Sequence, residues 1–85
     1  MARGRTLTVK SINPRTKKGK VLGIFTLGRD KKVKDVYKDP RFKFDIMRQG
    51  VRVFGRTYKP EDGPGFMGAL EKYYGSKTFY EVVRS

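Results

Sequence analysis

The sequence predicts a small α+β domain in which an N-terminal β-hairpin enters a three- to four-stranded, largely antiparallel sheet, with one or two helices packed on one face. Three observations predict it. Apolar and polar residues alternate near the N-terminus, apolar residues recur at helical spacing near the C-terminus, and clusters of Gly, Pro and Asn separate these segments. At 85 residues the chain suffices for one domain, taken as 1–85, and not for two. Cysteine is absent, so the six Phe and five Tyr must help supply by packing what disulfides cannot.

Residues 5–12 (RTLTVKSI) read as a strand because Leu7 and Val9 alternate with Thr6, Thr8 and Lys10. Asn13-Pro14 ends it, and residues 13–19 (NPRTKKG) form a turn rich in breakers and cations. Residues 20–27 (KVLGIFTL) are dense in apolar and β-branched side chains and predict a second, more buried strand. Residues 30–38 place Val33, Val36 and Tyr37 at helical spacing behind Asp30 as a cap, which predicts a short helix.

The pattern of residues 41–47 is two-sided. Asp39, Pro40 and Gly50 carry the start and stop signals of a helix, while Phe42, Phe44 and Ile46 alternate as in a strand. Residues 51–58 (VRVFGRTY) predict one strand with an aliphatic side and an aromatic-cationic side, and Gly55 marks a bulge or a close approach. After the breaker-rich loop 59–65, Pro64 opens the clearest helix, with Phe66, Leu70, Tyr73 and Tyr74 on one face and Gly75 as terminator. Residues 77–84 are expected to return to the sheet as a last strand.

Charge narrows the function. Lys and Arg number 21 against 8 Asp and Glu, a net +13 without histidine, and so strong an excess implies a polyanionic partner. Its distribution is uneven: residues 1–20 carry +7 with no acid, residues 1–60 carry +14, and residues 61–85 carry −1. Eight carboxylates cannot pair 21 cations, so a surface of mutual ion pairs does not account for the excess. The scarcity of Asn, Gln and Cys matches a thermophile-like composition. No stretch has the length and apolarity of a membrane span, and the N-terminus lacks a signal-peptide pattern, so the expected location is the cytoplasm, on ribosome or nucleoid.

Two groups of residues are candidates for contact. Arg15, Lys17, Lys18 and Lys20 sit at the acid-free hairpin tip, where long cationic side chains reach phosphates, and Lys10 extends this stripe. Arg3 and Arg5 would add a mobile basic arm over residues 1–5. The second group, Arg52, Phe54, Arg56 and Tyr58, would lie two apart on one strand face, offering rings for stacking and guanidinium groups for phosphates.

Catalysis has little to draw on. Without His or Cys, the usual bases, nucleophiles and zinc sites are excluded, and Asp30, Asp35, Asp39 and Asp45 read as caps and local charge partners. Gly63-Pro64-Gly65-Phe66-Met67-Gly68 spells GxGxxG, but too few residues follow for a dinucleotide fold, Pro64 removes a donor, and Glu61 and Asp62 would repel a pyrophosphate. No cofactor and no metal are expected. The composition therefore points to a non-enzymatic nucleic-acid-binding protein acting on phosphates, foremost an RNA-binding component of a ribosome or other ribonucleoprotein. Alternatives are a chromatin or architectural protein on duplex DNA, and a small basic metal-independent ribonuclease.

Overall fold

The computed structural model describes residues 5–84. Alternation in the first strand, β1 (Arg5–Ile12), sends Leu7 and Val9 inward, where both are wholly buried. The second strand, β2 (Gly19–Leu27), pairs antiparallel with it and sets Phe25 opposite Leu7 and Gly23 opposite Val9. The register slips between Val9 and Lys10, so that Leu22 and Gly23 are consecutively buried. A Cβ on Gly23 would come within 2.9 Å of the Phe42 ring, so glycine lets that ring lie on the sheet.

Residues 30–38 do not form the expected helix: Val33–Tyr37 is a strand, β3, at the sheet edge beside β2, with Val33 opposite Leu27 and Tyr37 opposite Gly23. Asp30 caps a turn instead, its Oδ1 accepting from the Lys32 N–H at 3.1 Å while the Gly28 N–H donates to the Lys32 carbonyl at 2.9 Å. Lys31 adopts φ +62 to complete this reversal. Three apolar residues stabilise a helix weakly, whereas two of them are β-branched and the unpaired edge of β2 offers a full ladder.

The two-sided segment becomes a helix, α1 (Pro40–Arg48), started and stopped by the residues that signalled it. The Asp39 carboxylate accepts from the Arg41 and Phe42 N–H groups at 2.9 and 3.2 Å, and Gly50 at φ +72 donates to the Asp45 and Ile46 carbonyls. Phe42 and Ile46, four apart, are its buried face.

Residues 51–58 are not one strand either. They fold into a tight hairpin of β4 (Val51–Val53) and β5 (Arg56–Tyr58), turned by Phe54 and Gly55 at φ +54 and +75. Positive φ at both central residues defines the turn whose twist suits a two-residue hairpin, and Gly55 supplies it without strain. A short 3₁₀ turn (Pro60–Asp62) leads to the second helix, α2 (Pro64–Gly75), which buries Phe66, Met67, Ala69, Leu70 and Tyr74. Gly63 and Gly65 serve packing: a Cβ on Gly63 would sit 2.4 Å from the Lys31 carbonyl oxygen, and one on Gly65 would press on the Tyr58 ring at 3.3 Å.

The last strand, β6 (Tyr80–Arg84), pairs antiparallel with β1, giving the sheet order β3-β2-β1-β6. Both helices cover the face that carries Leu7, Val9 and Phe25. Phe25 meets Tyr37, Phe42 and Phe66 edge-on with centroids 5.6, 6.0 and 5.4 Å apart, and Phe42 meets Tyr74 at 5.5 Å. Such pairs add about 0.5–1.5 kcal/mol each beyond the area they bury. The opposite face, with Thr6, Thr8, Ile24, Thr26 and Lys34, has no helix on it among the described residues.

Candidate nucleic-acid interface

The β1–β2 turn is built by its own short side chains. The Asn13 side chain accepts from the Arg15 N–H at 2.9 Å, its carbonyl accepts from the Lys17 N–H at 2.7 Å, and its N–H donates to the Lys18 carbonyl at 3.0 Å. The Thr16 hydroxyl accepts from the Lys18 N–H at 3.3 Å, and Lys17 takes φ +58. Arg15, Lys17 and Lys18 are therefore carried outward from a hydrogen-bonded turn, all exposed and with no carboxylate within ion-pair distance among the described residues.

Lys20 differs from them. Its ammonium lies 3.6 Å from the Asp39 carboxylate and helps fix the start of α1. The Asp39 carboxyl is held below its usual pKa, chiefly by the Phe42 N–H, with the Arg41 N–H and Lys20 acting in the same sense. Lys10 is partly buried on the helix-free face of the sheet. Arg5 is not part of an arm: it opens β1 and lies 3.9 Å from Glu71, which also pairs with Arg84. Arg3 and the remainder of the expected arm lie outside the described residues.

The row expected at Arg52, Phe54, Arg56 and Tyr58 does not exist, because the Phe54-Gly55 turn reverses the chain in its middle. Arg52 now stands opposite Thr57, Arg56 opposite Val53, and Tyr58 opposite Val51. Tyr58 is half-buried against α2, while Phe54 is 86% exposed at the tip, with the Lys72 ammonium 4.7 Å above its ring.

A second feature brings Arg52 together with residues that sequence patterns do not single out as a site. Where the C-terminal ends of α1 and α2 meet the β4–β5 hairpin and the start of β6, a groove of about 470 Å³ is lined by Asp45, Gln49, Arg52, Thr57, Tyr73, Tyr74, Lys77 and Tyr80. The three tyrosines pack edge to face at 4.9 and 5.0 Å, and the Lys77 ammonium lies 4.4 Å over the Tyr73 ring. Burial, then the neighbouring Tyr73 and Tyr80 and the Asp45 carboxylate, raise the Tyr74 pKa, so its hydroxyl stays protonated. Helical spacing assigns Tyr73 and Tyr74 to the core, and Lys77 falls in a nearly neutral segment that charge alone does not mark. The juxtaposition of α1 with residues 73–80 has no local signature.

No family model matches the chain, and neither a curated protein nor a solved structure does. Among the described residues, no helix is long and apolar enough to cross a membrane, and no three Asp or Glu side chains converge where they could hold a metal ion. No charged side chain is buried among them, so the charge excess lies at the surface.

Proposed function

We propose that this protein is a non-enzymatic nucleic-acid-binding module that works through phosphate contacts, and that its partner is structured RNA in a ribosome or another ribonucleoprotein of the cytoplasm. The observation that carries the reading is the hairpin tip, where Arg15, Lys17 and Lys18 project from an ordered turn without a carboxylate partner among the described residues. A preformed cationic projection of this kind loses little backbone freedom when it meets phosphates, and it fits recesses of a folded RNA that a flat surface cannot enter.

One observation favours a second reading. Among the described residues the sheet leaves a whole face without helices, bearing Thr6, Thr8, Lys10, Thr26 and Lys34, and such a face suits the groove of duplex DNA. Titration of a stem-loop RNA and a DNA duplex of equal length against salt separates the two. For the RNA reading, the stem-loop binds more tightly, with a log-log slope on the order of −4 to −7 if about 5 to 8 phosphates are neutralised. Tighter binding to the duplex moves the DNA reading to first place, and absence of binding to either at low salt refutes both.

A further inference from the structure

The groove beside Tyr73 differs in kind from the hairpin tip. The tip carries only cationic charge, whereas the groove is mixed: Asp45 of α1 and Gln49, the cap residue after it, line it together with Arg52, Lys77 and the tyrosines. Asp45 has no cation within ion-pair distance among the described residues, although the chain holds 21 Lys and Arg. The C-terminal ends of both helices also abut this space and bring the negative ends of their dipoles to it. The Asp45 carboxylate and these helix ends repel a phosphate and attract hydrogen-bond donors. The flanking cations attract a phosphate, and the tyrosine rings offer aromatic surface.

One ligand class has all three complements at once. We infer that this groove binds a single unpaired nucleotide of the nucleic acid, its base among Tyr73, Tyr80 and Asp45 and its phosphate on Arg52 and Lys77. The inference rests on the nucleic-acid reading proposed above. A duplex cannot satisfy it, because paired bases present neither a ring face nor a free Watson–Crick edge.

The polarity of Asp45 and Gln49 also selects the base. An ionised carboxylate accepts and never donates, so Asp45 is best matched by an edge with two adjacent donors, and guanine N1–H and N2–H are that edge. Uracil has a single ring donor on its Watson–Crick edge, and adenine sets a ring acceptor beside its amino group. Gln49 can donate to the guanine O6 or accept from an amino group. Lys77 acts as a latch: its ammonium lies over the Tyr73 ring, and a base that takes this ring face frees it to meet the phosphate at the rim.

The test uses the intact protein with ten-nucleotide oligouridines carrying one central G, A or C, in ribose and deoxyribose forms, and a duplex of equal length, followed by fluorescence anisotropy. The G strand is expected to bind about tenfold more tightly than the A strand, the discrimination of one good bidentate contact. Asp45→Asn should reduce this preference below about threefold, and Lys77→Ala should weaken every single strand while leaving the duplex unchanged. Both positions are exposed, and circular dichroism checks that the variants fold. Preference in the ribose strand alone, or in both, supports the site and reports whether it contacts the 2′-hydroxyl. Folded variants that retain the wild-type preference, or that lose duplex and single strands equally, overturn it. Salt-dependent binding that Arg15→Ala, Lys17→Ala and Lys18→Ala reduce, without any preference for G, keeps the nucleic-acid reading and removes the groove. Absence of all binding removes both.

Discussion

Lys72, on α2, holds its ammonium 4.7 Å above the ring of Phe54 at the tip of the β4–β5 hairpin. Phe54 combines two unfavourable properties, since it is 86% exposed and sits at φ +54, where a bulky residue is strained and Asn or Gly is at home. The Lys72 contact offsets part of this strain, as an exposed cation–π pair contributes about 0.5–1 kcal/mol. A large ring kept in such a place, between Arg52 and Arg56, is suited to contact outside the domain.

Phe54→Asn should therefore stabilise the fold by about 1 kcal/mol while weakening binding to single-stranded nucleic acid. Urea unfolding and anisotropy titration measure the two effects. Stabilisation with unchanged affinity would show that the ring takes no part in binding.

The tip and Lys20 should separate in the same assay. Replacing Arg15, Lys17 and Lys18 together by Ala should lower the salt slope by roughly one for each phosphate that is no longer neutralised. The thermal midpoint should stay unchanged, because the turn is held by Asn13, Thr16 and backbone groups. Lys20→Ala should chiefly lower the midpoint, since Lys20 is engaged with Asp39. A slope that responds more to Lys20 than to the other three contradicts this division.

Two glycines of α2 and its entry should respond oppositely to a methyl group. Gly63→Ala forces a Cβ to 2.4 Å from the Lys31 carbonyl oxygen at φ +59 and should destabilise by at least about 2 kcal/mol. Gly68→Ala, with nothing within 4 Å and an exposed place inside the helix, should stabilise by about 0.5–1 kcal/mol. Chemical denaturation of the two variants decides it.

Asp39 makes stability depend on pH. Its folded pKa lies below the unfolded value, so the cap contributes fully above the ordinary carboxylate range and loses its contribution as pH falls through the folded value. Asp39→Ala should lower the thermal midpoint at neutral pH, and the gap from the unchanged protein should narrow on acidification. A gap that stays constant down to strongly acid pH would mean that the carboxylate is not what caps α1.

The strands β1 and β2 and the helix α2 are legible in the sequence because their signals are local: alternation around Leu7 and Phe25, and Pro64 and Gly75 around α2. For α1 only the caps Asp39-Pro40 and Gly50 are legible, since the alternation of Phe42, Phe44 and Ile46 leaves a strand equally open. The departures share a cause. At residues 30–38, Val33, Val36 and Tyr37 fit a helical stripe as well as a strand, and only the edge of β2 decides between them. At residues 51–58, strict alternation conceals a reversal that needs one residue pair, Phe54-Gly55, and no preference of Phe itself points to a left-handed conformation. The groove is less legible still, since Asp45, Arg52 and Lys77 come from three separate segments that meet only when the domain is assembled.

The seam between β1 and β6 sets an order in time. Leu7 lies opposite Arg84, so the first strand finds its second neighbour 77 positions later, whereas β1, β2 and β3 follow one another as a meander. Closing so long a loop is slow compared with forming a hairpin. During synthesis the cationic tip is thus complete as a local unit before the sheet that supports it, and the nearly neutral last third arrives as a closing piece. Until β6 has been made, β1 therefore keeps one edge without a strand partner.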